Sequence, residues 1–338
     1  METVLVTGAT GFIASHLIVR LLDNGYKVRG TARTSGKAQR LNEVLSAYTG
    51  RDIDIPIVAA DLSSDEGWDQ AVEGVDYVQH VASPFPAAAP RRADDLIRPA
   101  REGAMRVLRA SNQAGVKRVV MTSSLAAIAY GWGDQRPELL TEEHWSNPDN
   151  LKDNTAYARS KTIAEKAAWE YVEGEGQGLE LAVINPVAVL GPAMSADVSS
   201  SLELIIQPMA SKLPAYPKLS FGIVDVRDVA EAHVCAMTLP EAAGERFILG
   251  DKTMSFEEIG QVLREAYPDR KLPKGTLPNW FVKLAANFNP PLKQVIPELG
   301  RERKFSNSQL KRVLGITPIP AENAIRESAE TLVRLGVV

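Results

Sequence analysis

The 338-residue sequence is poor in the side chains that build disulfides and metal sites. Its single cysteine, Cys235, excludes an internal disulfide and a cysteine metal cluster, and its apolar neighbours favour a buried, structural position on a helix. Only four histidines are present, and they lack the spacing of metal ligands, so we expect no metal site. They are His16, His80, His144 and His233; His80, inside a predicted strand, is typical of a packed core residue.

Long apolar runs and basic tracts are also missing. No run approaches the ~20 apolar residues of a membrane span, and the first residues enter a strand without the basic leader of a signal peptide. The net charge is −4 and the pI is near 5.7, which makes nucleic acid and anionic membranes unexpected partners. Together these absences predict a cytoplasmic protein.

What the sequence does contain is an alternation of short β-branched runs with amphipathic helical stretches. This alternation is typical of an α/β fold with a parallel sheet. A chain of 338 residues exceeds one typical core. We therefore predict a doubly wound parallel Rossmann-type sheet in residues 1–190. A smaller C-terminal substrate-binding lobe is predicted in residues 191–338, with elements around 221–250 returning to the main domain.

A glycine-rich turn follows the first predicted strand. The apolar run Val4 to Val6 leads into Gly8-x-x-Gly11-x-x-Ala14, and from Phe12 the apolar period becomes helical. A strand, a glycine turn and a helix N-terminus form a cradle for a pyrophosphate, because backbone amides can approach it closely. The alternative is an ordinary strand–helix turn. The predicted phosphate-binding residues are Gly8, Thr10, Gly11, Phe12 and Ile13.

The second predicted strand, residues 27–32, ends at a basic residue. Arg33 follows it, with Lys37 close behind and no acid before Glu43. In dinucleotide folds an acid at this place accepts a hydrogen bond from the ribose of NAD, whereas an arginine pairs with the 2′-phosphate of NADP. Arg33 and Lys37 are therefore predicted to hold that phosphate. Exposed charges at a loop mouth are the alternative.

Two further strand ends are predicted to line the same ligand. The third strand, residues 53–60, is followed by Asp61 and Leu62, which we expect at the adenine edge. A helix cap is the competing interpretation for Asp61. The fourth strand, residues 76–82, brings three residues to the sheet edge where ligands gather. These are Val81, Ala82 and Ser83.

Hydroxyl side chains end the fifth predicted strand, residues 118–122. Thr122, Ser123 and Ser124 stand at its carboxyl end, beside the expected nicotinamide, where hydroxyls are well placed for chemistry. A generic serine turn is the alternative. The polar segment of residues 129–155 is predicted to form a long loop over the mouth of the site.

Tyr157 and Lys161 stand four residues apart at the start of a helix predicted to run to about Glu173. This spacing places both side chains on one face. A phenol with its usual pKa near ~10 is a poor acid–base group at neutral pH, and a neighbouring ammonium favours the phenolate and lowers that pKa. The same lysine can hydrogen-bond a cofactor ribose. The pair is therefore predicted to be catalytic.

The sixth predicted strand, residues 181–185, is followed by Pro186 and Val187. A cis or otherwise rigid turn there would pass the carboxamide of a nicotinamide, and a strand-ending proline is the plain alternative. From Ala193 onward the alternation of strands and helices loosens. The first helix of the predicted lobe spans residues 199–212.

The sequence resembles the extended short-chain dehydrogenase/reductase family in its glycine turn, Arg33, Asp61–Leu62, Ser124 and the tyrosine–lysine pair. Within that family it resembles the dihydroflavonol reductase and cinnamoyl-CoA reductase group and its microbial aldehyde and ketone reductases. The segments that carry this closer resemblance are VTGATGFIASHL, VRGTAR, HVASP, KRVVMTSS, YARSK, INPVAVLGP and VDVRDVAEAH. It covers roughly residues 3–250 well and the last third weakly.

The resemblance implies an NADP(H)-dependent enzyme that reduces an aldehyde or ketone to an alcohol and runs backward as an alcohol dehydrogenase. Tyr157 would protonate the carbonyl oxygen, and Lys161 would lower the pKa of that tyrosine and hold the nicotinamide ribose. Ser124 would hydrogen-bond the carbonyl oxygen, with Ser123 the less favoured holder of that role. The protein would mainly position and polarise the reactants.

Two other functions stay open. A nucleotide-sugar epimerase or dehydratase of the same extended family often carries an acid near the end of the second strand, where this chain has Arg33. A redox-sensing binding protein would use the fold without catalysis, but such proteins commonly lose the tyrosine–lysine pair. We therefore expect a reductase, monomeric or homodimeric, with a small-molecule carbonyl substrate.

Overall fold

A seven-stranded parallel sheet lies at the centre of the molecule. The computed structural model of the chain describes residues 1–84, 92–287 and 295–338, and it describes Ser35, Lys37 and Ala38 without their side chains. The strands are β1 Thr3–Val6, β2 Lys27–Ala32, β3 Ile57–Ala59, β4 Tyr77–His80, β5 Arg118–Thr122, β6 Leu139–Leu140, β7 Glu180–Pro186, β8 Ala188–Leu190, β9 Tyr216–Pro217, β10 Ser220–Asp225, β11 Arg246–Leu249, β12 Lys252–Ser255, β13 Thr276–Leu277 and β14 Lys304–Phe305.

Helices cover both faces of the central sheet and pack on the smaller sheets. They are α1 Phe12–Asp23, α2 Ser35–Thr49, α3 Trp68–Val72, α4 Asp94–Gln113, α5 Ala156–Glu173, α6 Glu203–Met209, α7 Val226–Thr238, α8 Phe256–Ala266, α9 Asn279–Ala285, α10 Ser308–Val313 and α11 Ala321–Arg334. Among these helices of the described ranges, none is long and apolar enough to cross a membrane.

The strand order of the central sheet is β3-β2-β1-β4-β5-β7-β11, and every neighbouring pair is parallel. The order reverses direction between β1 and β4. The chain segments that leave these two strands therefore diverge, and a crevice opens at their carboxyl ends, where ligands bind in folds of this kind. The predicted doubly wound Rossmann-type sheet is confirmed.

Two apolar layers hold the sheet between its helices. Val4 and Val6 are completely buried against one layer, which includes α1 and α7, and Leu5 is completely buried against the other, which includes α4 and α5. Burial on both faces explains why β1 is a continuous apolar run rather than an alternating one. The turn that follows β1 is thus anchored on both sides.

A second, smaller core lies in the C-terminal part of the chain. Its sheet has the order β12-β10-β8, and α6, α8 and α11 contribute the fully buried Ile205, Ile259 and Ile325. Between β10 and β12 the chain returns to the central sheet, where β11 pairs in parallel with β7. The last strand of the central sheet therefore comes from a sequence region far from the first six.

The predicted third strand is too long. Only Ile57–Ala59 forms β3, whereas residues 53–60 were expected. The amides of Ile53 and Ile55 donate hydrogen bonds to side chains of α2 rather than to a neighbouring strand. Their acceptors are Ser46 Oγ (3.0 Å) and Asn42 Oδ1 (3.3 Å), respectively. Pro56 has no amide hydrogen to donate, so the ladder begins after it.

Two further predictions, for residues 199–212 and 129–155, also need correction. The helix expected over residues 199–212 is a 3₁₀ turn at Ser200–Leu202 followed by α6, which ends at Met209. Ser211, with φ of 55°, cannot continue a right-handed helix. Within the loop predicted for residues 129–155, β6 pairs in parallel with β14, so part of this loop is fixed by the C-terminal region.

Cys235 lies on α7, as predicted, but it is half-buried rather than buried. Its sulfur lies 3.7 Å from a carboxylate oxygen of Glu231, one turn earlier on the same helix. Burial and this carboxylate raise the pKa of the Cys235 thiol to about 11, which keeps it protonated and unreactive at neutral pH.

Candidate active site

The glycine turn after β1 has a backbone that other residues would strain. Gly8 has φ of +63°, and a Cβ at this position would lie 3.0 Å from Cα of Ala82. The amide of Gly11 closes the turn on the carbonyl of Gly8 (2.9 Å), and the amide of Gly8 donates to Oγ1 of Thr31 (3.1 Å). Glycine at position 8 is therefore needed both for its backbone conformation and for the close approach of Ala82, which follows β4.

The N-terminus of α1 is open to an anion. Gly11 is the N-cap residue and brings no side chain that could accept from the first amides of the helix. The first turn of α1, which lies wholly within the described residues, holds no acidic side chain. Such a terminus presents donors and positive potential. The cradle therefore fits the pyrophosphate of a dinucleotide.

A cavity of about 520 Å³ runs along the carboxyl edge of the sheet from this turn. It brings together the predicted residues from six strand ends and from α5, although they are spread over 180 residues of sequence. Those that line it are Gly8, Thr10, Gly11, Phe12, Ile13, Arg33, Asp61, Leu62, Val81, Ala82, Ser83, Thr122, Ser123, Ser124, Tyr157, Lys161, Pro186 and Val187. The side chain of Lys37 lies outside the described residues.

At one end of the cavity stand the residues predicted to hold the adenosine. Arg33 is exposed and follows β2 directly. Asp61 accepts from the amide (2.8 Å) and the hydroxyl (2.6 Å) of Ser63 through Oδ1. These hydrogen bonds, with Arg33 among the lesser causes, lower the pKa of the Asp61 carboxyl. Asp61 therefore stabilises a local turn, and it is not the cap of α3, whose N-cap is Gly67.

Several residues line the cavity that the sequence did not indicate. Trp68 of α3 supports the turn at Asp61, because its indole nitrogen donates to the carbonyls of Asp61 (3.2 Å) and Ser64 (3.0 Å). Lining residues from distant segments, such as Pro99 of α4 and Ser199, leave no local pattern, whereas residues next to strand ends, such as Ala32 and Ala60, could have been found. The full set is Thr31, Ala32, Ala60, Ser63, Trp68, Pro84, Pro99, Val189, Ser199, Ser200 and Ser201.

The histidine of β4 fixes the strand end behind the glycine turn. His80 is buried, and its Nδ1 shares a hydrogen bond with Oγ1 of Thr7 (2.9 Å), which in turn accepts from the amide of Ala82 (3.0 Å). Burial, with a smaller contribution from the Lys161 charge, lowers the pKa of His80 to about 3. His80 is a neutral, packed core residue, as predicted.

Ser124 and Tyr157 meet at the other end of the cavity. Ser124 follows β5, and its Oγ accepts from the amide of Ala126 (3.1 Å) to cap a 3₁₀ turn. Tyr157, in the first turn of α5, hydrogen-bonds the same serine side chain. The start of α5 is fixed by Thr155, whose hydroxyl accepts from the amide of Ala158 (3.1 Å).

The pKa of Tyr157 moves in the direction opposite to our prediction. Tyr157 is half-buried, and the loss of solvent around its phenol raises the pKa above its usual value, with the Ser124 hydrogen bond acting against this rise and Tyr130 adding to it. The ammonium of Lys161 lies 6.0 Å from the ring centroid. Loss of solvation thus outweighs the Ser124 hydrogen bond, and Tyr157 is protonated at neutral pH, which is the form a general acid requires.

Lys161 is buried, at 6% exposed, one turn after Tyr157. Burial lowers the pKa of its ammonium to about 8, and the carboxylate of Glu165 acts against this shift. Lys161 is therefore charged at neutral pH but close to titration. A perturbed lysine beside a protonated phenol in a cavity is the kind of arrangement found at catalytic sites.

Ser123 makes a different hydrogen bond from the adjacent Ser124. The hydroxyl of Ser123 donates to Oε2 of Glu165 and is committed to this buried carboxylate, whereas Ser124 bonds Tyr157.

Pro186, with a trans peptide bond, is the last residue of β7, and the next amide, of Val187, donates to the carbonyl of Leu249 (3.0 Å). The turn is rigid because it stays attached to β11.

The sequence is similar to a known protein family and to named reductases. The model of the NAD dependent epimerase/dehydratase family matches residues 4–250. A cinnamoyl-CoA reductase, CAD2 of Medicago truncatula, is 32% identical over 98% of this chain and 95% of its own length. A putative NADPH-dependent methylglyoxal reductase, GRP2 of Candida albicans, is 33% identical over 98% of both chains.

Solved structures agree with these matches. The yeast methylglyoxal/isovaleraldehyde reductase Gre2, determined in complex with NADPH, is 30% identical and superposes with a TM-score of 0.81. The match covers 100% of both chains, so it includes the C-terminal third, where the sequence resemblance was weak.

Proposed function

This chain belongs to the NAD dependent epimerase/dehydratase family, and we propose that it reduces the carbonyl group of an aldehyde or ketone to an alcohol with NADPH. It is an NADP-dependent oxidoreductase, as predicted, since its named relatives are reductases and the yeast structure holds NADPH. The finer proposals concern the proton donor, the substrate class and the reverse reaction.

One observation carries the proposal. The hydrogen-bonded Ser124–Tyr157 pair and the buried Lys161 share a cavity with the open N-terminus of α1. A dinucleotide with its pyrophosphate on that terminus can extend along the sheet edge toward the tyrosine, as bound dinucleotides do in this fold. The cavity therefore provides a place for both reactants of a hydride transfer.

NADPH supplies the hydride when it is bound, and the chain supplies the proton and the alignment. Tyr157 donates its phenolic proton to the carbonyl oxygen, while the Ser124 hydroxyl hydrogen-bonds that oxygen and orients it. Lys161, positively charged at neutral pH, stabilises the negative charge left on the phenol and holds the nicotinamide ribose. In the reverse direction Tyr157 accepts the proton of the alcohol.

Arg33 supports a preference for NADPH over NADH. Its guanidinium stands at the end of β2, where the phosphate-bearing ribose of a bound dinucleotide lies. It is exposed, and its planar donors suit two phosphate oxygens at once. An epimerase that retains NAD would have no use for this cation.

The proposed function is tested by measuring NADPH consumption with a panel of carbonyl compounds and identifying the product by mass spectrometry. The panel begins with the compounds that appear in the names of the relatives, which are methylglyoxal, isovaleraldehyde and a cinnamoyl-CoA. Simple ketones extend it. We expect an alcohol from each aldehyde or ketone that reacts, and a faster reaction with NADPH than with NADH; one hydride transfer to the thioester would instead give an aldehyde and free CoA. A folded protein that binds NADPH but consumes none with any compound would contradict the proposal.

A further inference from the structure

A buried carboxylate lies directly behind the Ser124–Tyr157–Lys161 group. Glu165 stands on α5, one turn after Lys161 and two turns after Tyr157, and its side chain is completely buried. Burial of a charged carboxylate is costly unless it is paired and hydrogen-bonded. The Glu165 carboxylate must therefore be paired and hydrogen-bonded by its neighbours.

Three side chains donate to Glu165. Its Oε2 accepts from the hydroxyl of Ser123 and from Nδ2 of Asn185 (2.8 Å), and its Oε1 accepts from Nε of Arg246 (2.6 Å). Asn185 lies on β7 and Arg246 on β11, and Ser123 follows β5 directly. The carboxylate thus ties α5 to three adjacent strands of the sheet.

This network reaches the backbone of the catalytic serine. Nδ2 of Asn185 also donates to the main-chain carbonyl of Ser124 (3.2 Å). Ser124 is therefore held from behind by Asn185, and Tyr157 is held on α5 by the helix that Glu165 anchors. A carbonyl oxygen between the two hydroxyls would be aligned only while both supports keep their relative position.

Arg246 forms an ion pair with Glu165 and is itself held in place by other contacts. Nη1 of Arg246 donates to the carbonyls of Glu142 (2.6 Å) and His144 (2.9 Å), and its guanidinium stacks 3.7 Å above the ring centroid of Trp145. These contacts place the guanidinium in a fixed orientation against the carboxylate. A buried ion pair is weak evidence for a role in stability, because an apolar pair often serves as well.

The charge of Glu165 acts on Lys161. Burial lowers the pKa of Lys161 and Glu165 acts against this lowering. The titratable groups around the lysine are otherwise Tyr157, which is protonated, and His80, which is neutral. Glu165 is in turn faced by Arg246, whose charge also acts on the half-buried Glu142.

We propose that Glu165 is a positioning residue for hydride transfer, which fixes Ser124 relative to Tyr157 through Asn185 and places a carboxylate one helical turn after Lys161. This inference rests on the proposed reductase function. Glu165 touches neither reactant and acts through its neighbours. Its loss should therefore change the rate and its pH dependence more than the affinity for NADPH.

The direct test replaces Glu165 with glutamine, which keeps the shape and removes the charge. We expect kcat to fall about a hundredfold, with the fluorescence-measured affinity for NADPH changed much less. The decline of kcat at high pH should begin about one pH unit lower than in the wild type, because Lys161 loses the anion that favours its charged form. Glu170→Gln, an exposed position on the same helix, is the control and should leave both quantities unchanged.

A double variant separates charge from packing. Glu165→Gln leaves Arg246 unpaired, so Glu165→Gln with Arg246→Gln restores a neutral, hydrogen-bonding pair. We expect the double variant to recover the melting temperature but not the position of the high-pH decline. Recovery of the decline as well would overturn the electrostatic part of the proposal. Ser123→Ala, which keeps the ion pair, tests the positional part and should lower kcat without moving the decline.

A measurement without cofactor keeps this test independent of the reductase function. Carbon-13 NMR of labelled lysines, with Lys161 assigned from Lys161→Met, follows the titration of its ammonium in the cofactor-free protein. A lower pKa of Lys161 in Glu165→Gln supports the proposal, and an unchanged pKa overturns its electrostatic part. A wild type that reduces no carbonyl would refute the proposed function, whereas an active wild type with a fully active Glu165→Gln would refute this inference alone.

Discussion

The two ends of the cavity differ in how far their functional groups are buried. At the adenosine end, Arg33 is exposed and Asp61 is engaged in a local turn with Ser63. At the carbonyl end, Ser123 and Lys161 are buried, and a hydrogen bond joins Ser124 to Tyr157. Charges exposed to water keep their solvation and interact weakly with one another, whereas charges in a buried network shift one another's pKa.

We infer that the exposed and the buried end of the cavity have different roles. We propose that the exposed end selects the cofactor without influencing the chemical step, because it lies at the opposite end of the cavity from Ser124 and Tyr157. The buried end sets protonation, since burial raises the pKa of Tyr157 and lowers that of Lys161 to about 8. Substitutions at the buried end should therefore change kcat, and those at the exposed end should change cofactor affinity.

The largest effect is expected at Tyr157. Tyr157→Phe removes the proton donor and keeps the ring, so kcat should fall by about 10³-fold, while NADPH affinity, measured by fluorescence, stays nearly constant. Tyr171→Phe, on the same helix and outside the cavity lining, is the control and should remain active. Substantial turnover by Tyr157→Phe would refute the assignment of the general acid.

Lys161→Met should separate activity from stability. Its kcat should fall by about a hundredfold, yet at pH 7 the folded variant should be more stable than the wild type by up to about 3 kcal/mol, the cost of a pKa lowered from 10.5 to about 8. Denaturant unfolding of both proteins over a range of pH measures this difference.

The pH dependence of that difference follows from the direction of the shift. Below pH 8 Lys161 is charged in both states, and the folded protein bears the whole cost of burying the charge. Between pH 8 and 10.5 the folded state has released the proton and the unfolded state has not, so the wild type gains stability relative to the variant. A constant difference across this window would show that Lys161 is solvated.

Arg33→Ala should affect the exposed end alone. We expect NADPH affinity to fall about 10- to 100-fold through loss of charge-assisted hydrogen bonds, with NADH affinity and kcat at saturating NADPH unchanged. Arg98→Ala, an exposed arginine on α4 paired with Glu102, is the control. An equal loss of affinity for both cofactors would refute the phosphate role.

The smallest effect is expected at the glycine turn, which lines the same cavity. Gly8→Ala must place a side chain at φ of +63° and 3.0 Å from Ala82, which should lower stability by about 1 kcal/mol and weaken NADPH binding. Gly36→Ala has open space around its Cβ and an ordinary helical position, so it should be neutral or slightly stabilising. Thermal unfolding with and without NADPH compares the two variants.

Local patterns account for what the sequence could predict. The run before Gly8, Arg33 at a strand end and the spacing of Tyr157 and Lys161 each occupy a few consecutive residues. Since a parallel sheet brings its strand ends to one edge, these fragments were enough to predict the fold and most of the cavity lining. The family resemblance supplied the chemistry.

What the sequence could not predict depends on contacts between distant residues. The ion pair of Glu165 with Arg246 joins residues 81 positions apart, and it forms because β11 enters the central sheet beside β7. The direction of the Tyr157 pKa shift also escaped prediction, because the solvent lost around a phenol is a property of the folded chain. The early end of α6 and the short β3 reflect side-chain hydrogen bonds and backbone geometry of the same kind.

The account is tested most directly by following the transferred hydrogen. Wild-type protein is given NADPH carrying deuterium at the reactive nicotinamide carbon together with an aldehyde that it consumes, and the alcohol is analysed by mass spectrometry. We predict that one deuterium is found on the former carbonyl carbon and that NADPH and aldehyde disappear in equal amounts. Alcohol without deuterium from either labelled face of NADPH, or loss of aldehyde without loss of NADPH, would contradict the account.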